Sequence, residues 1–134
     1  ALPICSDWGA TPSLSSAAQG NMYLVKLLLK EGADIGARDR LGRSVLHWTA
    51  EKGHLSTAKF LIRNGAPVHH PDNDGQTPLH EAAKWDQQKI TRLFIFHGAD
   101  VNAKGADGRS PLHIAIANGN MDIANLLKRH GAKL

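Results

Sequence analysis

The sequence repeats itself every 33 residues, and that period constrains the fold more than any other feature. Three stretches carry it most clearly: Gly42-Arg43-Ser44-Val45-Leu46-His47-Trp48-Thr49-Ala50, Gly75-Gln76-Thr77-Pro78-Leu79-His80-Glu81-Ala82-Ala83, and Gly108-Arg109-Ser110-Pro111-Leu112-His113-Ile114-Ala115-Ile116. Self-similarity at this spacing means stacked units, each too small to bury its own apolar face. The core must therefore run through the stack. The frames are 6–38, 39–71, 72–104 and 105–134, the last one shorter, and together they make one domain over 1–134.

Each frame holds two helical signals. Thr77 and Ser110 suit a helix N-cap, and the proline after each suits the first helical position, where a missing N–H costs nothing. In the third frame Leu79, Ala82 and Ala83 mark the apolar stripe of a first helix, and Ile90, Leu93 and Phe94 that of a second. The second stripe recurs as Leu24/Leu27/Leu28, Thr57/Phe60/Leu61 and Ile123/Leu126/Leu127. Gly20, Gly53 and Gly119 fall between the helices, where a left-handed residue can end the first one. Asp86 takes that place in the third frame and is expected to be mildly strained there. Each second helix ends at Gly-Ala. The tips that follow, such as Asp72-Asn73-Asp74-Gly75, are rich in residues that cap their own backbone or accept positive φ. Hairpin-like projections between repeats are expected.

The composite pattern Asp-x-x-Gly-x-Thr-Pro-Leu-His-x-Ala-Ala-x-x-Gly-His, closed by Leu-Leu-x-x-Gly-Ala-Asp-x-Asn, resembles the ankyrin repeat. It covers residues 6–134 as four copies. The resemblance implies an all-α solenoid of four helix-turn-helix units with short β-hairpin loops, stacked into a curved array. It also implies that the repeated histidine bonds to the capping hydroxyl and to the backbone of the adjacent unit. Two frames depart from the pattern. Thr11-Pro12 is followed by Ser13-Leu14, so the Leu-His pair is lost there, or a one-residue slip puts Leu14 at the leucine site and Ala17-Ala18 at the paired alanines. In the last frame Lys128 replaces the apolar residue seen as Leu29, Ile62 and Ile95. A polar outer face suits a terminal repeat, so both end frames are read as caps.

Composition narrows the function. The 16 Lys and Arg against 12 Asp and Glu leave a formal charge of +4, short of the dense basic footprint of a dedicated nucleic-acid binder. Many of the bases recur on second helices (Lys26, Lys59, Arg92, then Lys30, Arg63, Arg129) as a solvated outer face. No apolar run approaches the roughly 18 residues that span a bilayer. Cys5 is the only cysteine, so no internal disulfide forms, which fits a reducing compartment and a cytoplasmic or nuclear protein. Ala132-Lys133-Leu134 is similar to a peroxisomal C-terminal tripeptide, but the repeat already accounts for Ala132.

The eight histidines offer little chemistry. His47, His80 and His113 are one per unit and too far apart to share a metal, and His69-His70 lacks a third ligand nearby in sequence. No nucleophile elbow, phosphate loop, CxxC pair or His-Glu helix motif is present. Neither catalysis nor a cofactor is expected.

The remaining function is binding. In the ankyrin family the concave surface is built from the tips and the exposed side of the first helices. On that mapping Trp8, Leu41 and Trp85 are large apolar side chains at positions the repeat exposes, and interface hot spots are rich in Trp and Arg. Arg43, Lys52, Gln76, Lys84 and Arg109 surround them. The expected activity is that of a non-catalytic protein–protein interaction module, acting as a monomer and centred on Trp85. One alternative is anion or nucleic-acid binding through a basic concave patch of Arg38, Arg40, Arg43, Lys52 and Lys84. The other is a scaffold segment of a larger multidomain protein. Trp48 is assigned to packing between first helices, and Phe96 to an exposed position on the outer side.

Overall fold

The structure is a computed structural model that describes residues 20–134. Trp8, Cys5 and the unusual first-helix segment of the first frame lie outside the described residues. Seven helices occupy the rest: α1 (Met22–Lys30), α2 (Val45–Lys52), α3 (Leu55–Arg63), α4 (Pro78–Lys84), α5 (Gln88–Phe96), α6 (Pro111–Ala117) and α7 (Met121–Arg129). Helices α2, α4 and α6 start 33 residues apart, and so do α1, α3, α5 and α7. The repeat in the sequence is thus a repeat in space.

The first helices are short, seven or eight residues each, and would not persist alone in water. Two things hold them. One is the start: Ser44, Thr77 and Ser110 are N-caps in extended conformation, and each is tied to the histidine three residues on. The other is stacking. Leu46, Leu79 and Leu112 are at most 1% exposed, and Ala50, Ala82, Ala83 and Ala115 are fully buried beside them. Alanine in this layer lets neighbouring first helices approach closely. The α2–α4–α6 row therefore packs tightly, while the α3–α5–α7 row touches more sparingly. A stack closer on one side than the other curves, with its concave face toward the first helices and tips.

The second helices correct the expected stripe. The buried positions are Thr57/Ala58/Leu61, Ile90/Thr91/Phe94 and Ile123/Ala124/Leu127. Phe60 and Leu93 sit at the margin of the core, and Leu27 is 40% exposed where the stripe put it inside. In α1 the fully buried residue is Val25. Alanine and threonine fill the extra position because it faces the first helix of the same unit, where only a small side chain fits. Thr91 meets its own polar requirement by donating Oγ1–H to the Gln87 carbonyl at 2.8 Å.

The tips also differ from expectation. No β-ladder forms among the described residues. Each tip closes with a single backbone bond: Asp39 to Arg43, Asp72 to Gln76, and Gly105 to Arg109. A two-bond rung fails to form in the first two because the returning N–H of Arg43 or Gln76 donates to the Asp side chain instead, at 2.9 Å in both cases. Tips then lock to each other. Asn73 N–H donates to the Leu41 carbonyl at 2.9 Å, and Ala106 N–H to the Asp74 carbonyl at 2.8 Å. Gly42, at φ +76°, permits this: a Cβ there would lie 2.5 Å from the Asn73 side chain. Asp86 is left-handed as expected, at φ +58°, the one non-glycine of the described residues with positive φ. Among the described residues no helix is long and apolar enough to cross a membrane.

Candidate functional site

The concave face carries a groove of about 480 Å³ that runs across three consecutive units. Its tip wall is Leu41, Asp72, Asp74, Asp107 and Arg109, and its helix wall includes Glu51, Glu81, Lys84, Ile114, Ala117 and Asn118. Arg43, Gln76 and His80 lie between.

The histidines are fixed first, since they set the geometry of both walls. His80 Nδ1 accepts from the Thr77 N–H at 3.0 Å and lies 2.8 Å from the Thr77 hydroxyl. Its Nε2 is 3.0 Å from the carbonyl of Arg109, in the next unit. A carbonyl only accepts, so Nε2 carries the proton and the ring is neutral. His47 repeats the arrangement with Ser44 on one side and the Gln76 carbonyl at 2.7 Å on the other. Burial pushes both rings below the usual histidine range, against the opposing pull of those carbonyl hydrogen bonds. The Ser–His and Thr–His contacts have the distances of a nucleophile–base pair. Ser44 and Ser110 are 1% exposed and Thr77 is 7% exposed, so no substrate reaches the hydroxyls. Their role is to cap helices and join units.

Arg43 and Trp48 form the floor at the α2 end. The Arg43 guanidinium lies 4.3 Å over the Trp48 ring, 3.4 Å from Glu51 and 4.0 Å from Glu81 of the next unit. Its charge is engaged within the molecule, with the side chain only 14% exposed. Trp48 is half-buried and packs on the core, as assigned from the sequence.

Glu81 links this floor to Trp85. Its Oε2 accepts the indole Nε1–H of Trp85 at 3.0 Å, one helical turn away. Trp85 is the C-cap residue of α4, and 45% of its surface faces solvent. Lys84 Nζ stands 5.3 Å from the ring.

Five of the eight residues expected to bind a partner line the groove: Leu41, Arg43, Gln76, Lys84 and Arg109. Leu41 is 61% exposed at the tip wall. Trp85 flanks the groove beside Lys84 without lining it. Lys52 is exposed at the end of α2 and does not line it either. Trp8 is outside the described residues. The carboxylates were missed as a group. Each looked like an ordinary solvated residue, although the Glu81–Trp85 spacing of four could have shown that one of them holds the aromatic.

The basic concave patch of the anion-binding alternative does not form. Glu51, Asp72, Asp74, Glu81 and Asp107 face only Arg43, Lys84 and Arg109 across the groove. Arg43 is already paired, and the Arg38 guanidinium donates to the Pro71 carbonyl at 3.3 Å. Phe96 is 84% exposed on the outer side, edge-on to His97. The C-terminal tripeptide belongs to the last turn: Ala132 is buried, and Lys133 N–H donates to Asn102 Oδ1 at 2.9 Å.

The family profile described as "Ankyrin repeats (3 copies)" matches residues 14–105, and that described as "Ankyrin repeat" matches 107–134. The chain belongs to the ankyrin-repeat family. No curated protein matches its sequence. Ankyrin repeats are in general protein–protein interaction modules, and the histidine bridges and concave first-helix face of this ankyrin stack are the framework on which such a module is built.

Proposed function

We propose that this ankyrin domain is a non-catalytic module that holds another protein in the groove of tips and first helices, with Trp85 and Leu41 as its anchors. Trp85 carries the reading. A large aromatic side chain left 45% exposed and fastened through its indole N–H to Glu81 is pre-ordered before any partner arrives. Pre-ordering removes part of the entropic cost of association, and aromatic anchors dominate interface energetics. Leu41 supplies a second apolar contact on the opposite wall. The module acts as a monomer in a reducing compartment, cytoplasm or nucleus, which suits a chain with one cysteine.

The test is capture of partner proteins on immobilised wild-type domain and on Trp85→Ala, with bound proteins identified by mass spectrometry. The expected result is a set of proteins retained by the wild type and lost from the variant, with circular dichroism and melting temperature unchanged. Unfolding of the variant would make Trp85 a core residue, and an undiminished set would remove it from the interface.

A further inference from the structure

The groove and the rest of the chain have opposite charge. The whole sequence carries a formal +4, yet the groove lining holds five carboxylates against three cations, a formal −2. The most deeply set cation, Arg43, is already bound to Glu51 and Glu81 and stacked on Trp48. That leaves the tip wall as the side open to an incoming charge. Asp72 and Asp107 are held in place by backbone N–H groups, Asp72 by those of Asp74 and Gln76 and Asp107 by that of Arg109. Asp74 is exposed between them. Fixed carboxylates at successive tips form a row along the groove at the spacing of the units. Beneath them lie apolar surfaces, Leu41 on the tip side and Ile114 on the helix side.

We infer that the occupant of this groove is an extended segment of a partner protein that alternates basic and apolar side chains. Its Lys or Arg residues pair with Asp72, Asp74 and Asp107, and its apolar residues rest on Leu41 and Ile114. This rests on the groove being the partner site. The remaining cations do not oppose it. Lys84 stands beside Trp85 on the helix wall, and Arg109 is exposed at the groove's far end, so both remain free to meet the segment's own carboxylates or terminus. Charge complementarity of this kind sets partner choice and association rate more than raw affinity.

The test uses fluorescence anisotropy with three labelled peptides of equal length: alternating arginine and leucine, alternating glutamate and leucine, and alternating serine and leucine. The arginine peptide is expected to bind best, and its affinity should fall as salt is raised. Asp74→Asn with Asp107→Asn should weaken it about tenfold, since asparagine keeps the acceptor oxygen of the turn while removing the charge. Glu31→Gln, away from the groove, should leave it unchanged. Preference for the glutamate or serine peptide, lost in Leu41→Ala, would overturn the charge assignment while the groove stays the binding site. Binding of the arginine peptide that neither the double variant nor Leu41→Ala alters would overturn both. So would the absence of binding by all three peptides.

Discussion

Replacing His80 by alanine is expected to lower the unfolding free energy by about 3–4 kcal/mol, much of what a domain of this size has to lose. The ring is 1% exposed and joins two units. Removing it leaves the Thr77 N–H and the Arg109 carbonyl without partners and opens a cavity between α4 and the following tip. A buried polar group left unpaired costs about 1–3 kcal/mol, and the cavity adds to that. His113 is the internal control. It caps its own helix through Ser110 at 3.1 Å, but its Nε2 meets no carbonyl among the described residues, and it is only half-buried. Its alanine variant should cost about 1–2 kcal/mol. Urea denaturation of the two variants checks this. Equal losses would mean that the histidines act only as caps and do not join units.

Acid is expected to weaken the same joints. His47 and His80 are held below the usual histidine range by burial, with Asp72 close enough to both to oppose the effect but not to reverse it. His70 is displaced in the same direction by burial and by Arg38 and His69. The sign follows from proton binding. Above a pH of about 6.5 both folded and unfolded histidines are neutral and the full stability is present. As the pH falls below that value, the unfolded chain takes up protons that the native rings refuse, so stability drops until the lowered native values are passed. A protonated Nδ1 would also present its hydrogen to the Thr77 or Ser44 N–H, donor against donor. The urea midpoint should therefore decline between about pH 7.5 and about pH 5.5, before most carboxylates titrate. A flat midpoint across that range would show that the rings are accommodated when charged.

Much of the fold was legible because the repeat supplies the same information several times. Leu79, Ala82 and Ala83 are buried as their spacing required, and the caps at Thr77 and Ser110 form as their chemistry required. Asp86 adopts the left-handed conformation that its repeat position demanded. The second-helix stripe was misjudged because hydrophobicity alone marks large residues. Thr91 and Ala58 are fully buried for their size, while Leu27 is left partly outside. The missing ladder at the tips comes from Asp39 and Asp72, whose side chains take the N–H that a strand pair would use. At the site, exposure of Leu41 and Trp85 followed from the repeat mapping. What periodicity could not show is pairing between units. The Arg43–Glu81 contact depends on two side chains 38 positions apart, and it turns an expected free cation into part of the groove floor.

The central claim is that partners enter by the concave face. Site-specific photo-crosslinking tests it most directly, with a photoreactive phenylalanine at Leu41 or Lys84 on the groove and at Arg63 or Phe96 on the outer face. The account predicts that crosslinks to a partner protein form from positions 41 and 84 and not from 63 or 96. Crosslinks confined to 63 and 96 would contradict it and move the interface to the second helices.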